Sequence, residues 1–123
     1  MRTLNYLLLA VASPAKSAEL YTKLLGVEPV ENSPTFVLYV LPNGIKIGLW
    51  IKDEIEPRPK AAGGVEISFT EESKDAVLAT YAAWKVFAKV VQEPTQMDFG
   101  STFVVEDLDG HRLRPFVLAE RPR

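Results

Sequence analysis

The feature that most constrains this chain is an order of elements that occurs twice. Leu4 to Ala12 is a nearly continuous apolar run of strand length. Ser13 then offers an N-cap oxygen, Pro14 suits the first helical position and Gly26 suits the helix end. Between them Ala18, Tyr21, Leu24 and Leu25 share one helical face. Val27 to Glu31, Thr35 to Leu41 and Ile45 to Ile51 read as strands, with turns at Asn32-Ser33-Pro34 and Pro42-Asn43-Gly44. The stretch from Lys52 to Gly64 carries three charges of each sign, two prolines and two glycines, and reads as a linker. Beyond it Val65 to Phe69 is a strand, Glu71 to Val86 a helix with Val77, Tyr81 and Trp84 on one face, and Ala88 to Val91 and Ser101 to Val105 are strands. Asp107, Asp109 and Gly110 turn into a last strand, His111 to Leu118. Tyr21 and Tyr81 stand 60 positions apart, and Gly44 and Gly110 stand 66 apart. A longer loop around Glu93 to Phe99 accounts for that drift.

Composition narrows the chemistry. The length of 123 residues suits one domain, and 47% hydrophobic with 24% charged residues is a globular balance. Fourteen basic against sixteen acidic residues argue against a nucleic-acid partner. With no cysteine and one histidine, thiol catalysis, disulfides, thiolate metal sites and multi-imidazole sites are excluded. No stretch reaches bilayer-spanning length, and Ser13-Pro14 follows the first apolar run where a leader would show a cleavage site. The expected location is cytoplasmic, with no membrane partner.

The segment VASPAKSAELYTKLLGVEPV resembles the opening of the vicinal oxygen chelate superfamily, which includes glyoxalase I, extradiol dioxygenases and bleomycin-resistance proteins. The ending DFGSTFVVEDLDGHRLRPF is similar to that superfamily's last two strands, with Leu108 where a proline is usual. The resemblance implies an α+β fold in a single domain over 1–123. Two βαβββ modules, about 1–58 and about 63–123, would form a curled, open mixed sheet around a cavity, in a homodimer.

In this superfamily a catalytic metal is held by four cavity-facing strand positions. The resemblance carries them onto Tyr6, Gly48, Val65 or Glu66, and Arg114. Such a set lacks the carboxylates and imidazoles that divalent ions require, and a guanidinium repels the ion. The expectation is therefore no metal, no cofactor and no catalytic residue. The chain most closely resembles the small phenazine-antibiotic resistance proteins, through GLWIKDEIEP, EPTQMDFGSTF and DGHRLR. That implies binding of a planar aromatic molecule, with Trp50 as a stacking platform on the same strand face as Gly48, which leaves room. Phe36, Tyr39 and Phe103 are candidate walls, and Met97 and Asp98 lie where relatives close over the ligand. Arg112 and Arg114 share one face of the last strand, where Arg114 would meet a ligand carboxylate, or pair internally with a residue such as Glu66. The alternatives are a metal-dependent lyase or dioxygenase, a module whose own aromatics fill the cavity, and a metal-free isomerase using Glu66 as a base of raised pKa.

Overall fold

In the computed structural model, which describes residues 1–120, the fold is α+β, with two compact units, Met1–Ala61 and Ala62–Arg123. In the first unit β1 (Tyr6–Val11) leads into α1 (Pro14–Leu25), followed by β2 (Glu31–Asn32), β3 (Phe36–Val40) and β4 (Lys46–Ile51). Ser13 caps α1 by accepting from the Lys16 N–H, and Gly26 closes it in the left-handed conformation. The sheet runs β1-β4-β3-β2, with β1 parallel to β4 and the other pairs antiparallel. The alternation of β3 and β4 sorts its two faces. Val37, Tyr39, Ile47 and Leu49 are buried and α1 packs over β3 and β4, while Phe36, Leu38, Gly48 and Trp50 belong to the opposite, open face.

The second unit repeats the plan with β5 (Glu66–Thr70), α2 (Lys74–Trp84), β6 (Lys89–Met97), β7 (Gly100–Glu106) and β8 (Arg112–Leu118), in the order β5-β8-β7-β6. β5 is parallel to β8. α2 covers a core of Phe69, Phe103, Val105 and Leu113 with Val77, Tyr81 and Trp84. The two modules are thus repeats of one strand–helix–three-strand unit, as the sequence predicts.

Several boundaries differ from the sequence reading. Val27 to Val30 are not a strand, and β2 is a two-residue edge pairing with Val37 and Leu38. α2 starts at Lys74, three residues after Glu71, because the Ser73 hydroxyl accepts from the Ala76 N–H and so sets the cap. The expected loop after Val91 is strand: β6 runs on to Met97, with register shifts between Val90 and Gln92 and between Gln92 and Thr95. Pro115, whose missing N–H suits an edge or a bulge, lies in the interior strand β8, where no β7 residue pairs with it. The Thr102 hydroxyl donates to its carbonyl at 2.8 Å, so a buried side chain enters the ladder beside the residue that lacks an N–H. Residues 121–123 of the second module lie outside the described residues.

Candidate functional site

The open face of the first sheet is apolar and aromatic. Register pairs Phe36 with Trp50, Leu38 with Gly48, Leu8 with Gly48 and Tyr6 with Lys46, so all of these share that face. Trp50 and Phe36 are half-buried, while Tyr6 and Leu8 are 40% and 54% exposed. Tyr6 and Leu8 therefore leave apolar surface on that face open to solvent.

Gly48 does not leave the space expected of it. A Cβ there would lie 2.8 Å from Leu8 Cδ2 and 2.9 Å from Phe36 Cε1, so those two side chains already occupy the gap. Gly48→Ala is accordingly expected to cost about 1–3 kcal/mol, as overpacking does. The Leu8 tip can swing away, but the Phe36 ring must tilt. Urea unfolding checks this, and a fully neutral substitution would show that the gap is open.

Two of the expected cavity walls belong to helix-covered cores instead. Tyr39 is fully buried on the α1 side. Its hydroxyl donates to the Ala18 carbonyl at 3.0 Å and lies 2.9 Å from the Thr22 hydroxyl, and burial pushes its pKa up. Phe103 is fully buried under α2, edge-on to Tyr81 and Trp84 at centroid distances of 5.3 and 5.8 Å. Both residues sit at odd steps from the open-face positions of their strands, and strand alternation turns them inward.

The open face of the second sheet is polar and is organised by Arg114. Its Nε donates to Glu66 Oε1 at 2.7 Å and its Nη2 to Oε2 at 3.1 Å, a two-pronged pair. Its Nη1 donates to Gln92 Oε1 at 3.1 Å and to the Thr102 hydroxyl at 3.4 Å, and the Met97 sulfur stands 4.0 Å away. One guanidinium therefore bridges β5, β6, β7 and its own strand β8. Of the two residues carried over for the third metal position, Glu66 is on this face and Val65 precedes the strand, exposed. The Arg114 hydrogen bonds hold the Glu66 carboxyl below its ordinary pKa of 4.5 against the opposing effect of burial, and the charges of Arg114 and Arg112 add to the lowering. This is opposite to the raised pKa that a general base at Glu66 requires, so the isomerase alternative loses its motive group.

Met97 closes β6 beside this network, with Gln92 Nε2 3.7 Å from its sulfur. Asp98 is exposed in the turn between β6 and β7. The partners that sequence reasoning missed are Gln92 and Thr102. A fully buried threonine is their one signal, and it emerges only when β7 is aligned with β8.

The donor chemistry does not fit a divalent ion. Each module supplies two of the four positions: Tyr6 and Gly48 in the first, and Glu66 and Arg114 in the second. The one carboxylate among them is committed to a cation at both oxygens. Among the described residues no three His, Cys, Asp or Glu side chains are grouped to hold a metal. No helix among them is long and apolar enough to cross a membrane.

Comparison with known proteins agrees with this fold. A solution NMR structure of a protein from Agrobacterium tumefaciens is 42% identical, covers 98% of this chain and 100% of its own, and superposes with a TM-score of 0.86. A glyoxalase-related enzyme from Fulvimarina pelagi shares the fold at 16% identity, with a TM-score of 0.84 over 95% of this chain and 88% of that one. A trivalent organoarsenical cleaving enzyme from a Bacillus species is 34% identical over 65 residues, which is 52% of this chain and 40% of that enzyme. This chain thus aligns with less than half the length of that relative. The family model for the glyoxalase/bleomycin resistance protein/dioxygenase superfamily matches residues 3–114, and the chain belongs to that superfamily.

Proposed function

We propose that this protein binds and sequesters a planar aromatic small molecule, with neither a metal nor a covalent step, in the manner of antibiotic-binding resistance proteins. The observation that carries this reading is the commitment of Glu66 to Arg114. It removes the one carboxylate of the family's four metal positions and leaves binding as the remaining use of the fold. The aromatic class is supported by the register pair Phe36 and Trp50 on an exposed apolar face with Tyr6 and Leu8. A planar ligand stacked on such a ring gains about 0.5–1.5 kcal/mol beyond the burial of area. Phenazines are the planar polycycles to try first. The arsenical chemistry of the Bacillus relative is not carried over, because trivalent arsenic is thiophilic and this chain has no cysteine.

The binding form is a homodimer in the cytoplasm. The exposed apolar residues Leu4, just before β1, and Tyr6 and Leu8 within that edge strand favour cover by a second copy.

The test is affinity for phenazine in the Trp50→Ala variant, read by calorimetry. Loss of the platform is expected to weaken binding by roughly tenfold or more. Unchanged affinity in the folded variant counts against the stacking role.

A second reading has its own observation. Leu8 and Phe36 fill the space over Gly48, and Tyr39 and Phe103 are core residues, which favours a module whose cavity is closed by its own side chains. It predicts no change in melting temperature with any planar aromatic.

A further inference from the structure

The open face of the second sheet carries three cations and two carboxylates: Lys89, Arg112, Arg114, Glu66 and Glu106. Both acids already have a cation. Glu66 is held by Arg114 at 2.7 Å, and Glu106 lies 4.0 Å from the Lys89 ammonium. Arg112 is the register partner of Glu66 on one side and Glu106 on the other, yet makes no ion pair within 4.0 Å among the described residues. It is exposed, and with Glu66, Ser68, Glu106 and the Gly63-Gly64 lip it lines an open concavity of about 900 Å³. Arg114, the arginine expected to meet a ligand carboxylate, has its Nε and both Nη atoms engaged by protein partners.

We infer that Arg112, not Arg114, is the anion-recognition residue of this concavity, and that the anion it takes is a monovalent carboxylate. A guanidinium presents a planar fork of N–H donors that matches the two oxygens of a carboxylate. The Ser68 hydroxyl in the same lining is a further donor. The choice of a single negative charge follows from the sum over the face, which is one net positive charge once Glu66 and Glu106 are counted against the three cations. A second negative charge on the ligand would meet those two carboxylates on the strands flanking β8, so inorganic phosphate binds more weakly than a carboxylate. The inference goes beyond the aromatic-binding reading and rests on second-unit residues alone.

The test titrates benzoate, the neutral isostere benzamide and inorganic phosphate into the whole chain, following backbone amide shifts by NMR. Benzoate is expected to shift Glu66, Ser68 and Arg112 saturably, benzamide to leave them unmoved, and phosphate to bind less tightly than benzoate. Arg112→Gln is expected to weaken benzoate at least tenfold, with Arg112→Lys between that variant and the native chain. The inference is overturned by undiminished benzoate binding in Arg112→Gln, by shifts centred elsewhere, by benzamide or phosphate binding as well as benzoate, or by no saturable shift. Because phenazine binding is read through Trp50→Ala and benzoate binding through Arg112→Gln, either result can fail without the other.

Discussion

Phe103→Ala is expected to lower the unfolding free energy by about 3–5 kcal/mol, a large share of the 5–15 kcal/mol that a domain commands. The ring is fully buried and makes edge-on contacts with Tyr81 and Trp84, so its removal leaves a hole that α2 and β7 cannot close. Trp50→Ala removes a larger side chain but a half-exposed one, and is expected to cost about 2 kcal/mol or less. The two substitutions thus separate a core aromatic from an open-face aromatic. Urea unfolding at constant m-value reads both. A stable Phe103→Ala variant with altered ligand binding would return Phe103 to the role of a cavity wall.

Arg114→Met is expected to destabilise by about 2 kcal/mol, less than the 3–5 kcal/mol of a fully buried pair, because the side chains of Arg114 and Glu66 keep 19% and 31% exposure. It leaves the Glu66 carboxylate unpaired and takes a donor from both Gln92 and Thr102. In a double-mutant cycle with Glu66→Gln the pair is expected to show a coupling of about 1 kcal/mol or more, whereas the exposed Arg58–Asp53 pair shows almost none. The pH dependence follows from the lowered pKa of Glu66. A carboxyl that holds its proton less tightly when folded contributes stability above its unfolded value of 4.5, and that contribution is lost as the pH falls through the lower folded value. The acid limb of the stability curve is therefore expected to flatten in Glu66→Gln. Equal acid limbs in the two proteins would show that the pair contributes nothing to folding.

The alternation of the strands and the caps of the first helix were legible in the sequence because they depend on neighbours a few residues apart. Ser13, Pro14 and Gly26 bound α1 where local chemistry says they should. The start of the second helix is not legible to within three residues, because Glu71 and Ser73 both suit it and only the Ser73 bond to the Ala76 N–H decides between them. The four open-face positions Tyr6, Gly48, Glu66 and Arg114 were reachable through the repeat and the family resemblance. What fills them was less so. Whether Arg114 faces a ligand or Glu66 depends on β5 lying parallel to β8, a contact across 48 positions that no local pattern announces. The faces of Tyr39 and Phe103 are hidden for a simpler reason: an aromatic in a strand looks the same from either side until register is known.

Metal-independent binding of a planar aromatic at Trp50 can be read in a single titration. Tryptophan fluorescence is followed while phenazine is added to the purified chain, once with a chelator and once with added manganese, nickel or iron. Saturable quenching at micromolar concentration is expected, the same with and without metal, kept in Trp84→Phe and lost in Trp50→Ala. Quenching that appears only with metal, or that survives the loss of Trp50, would contradict that mode of binding.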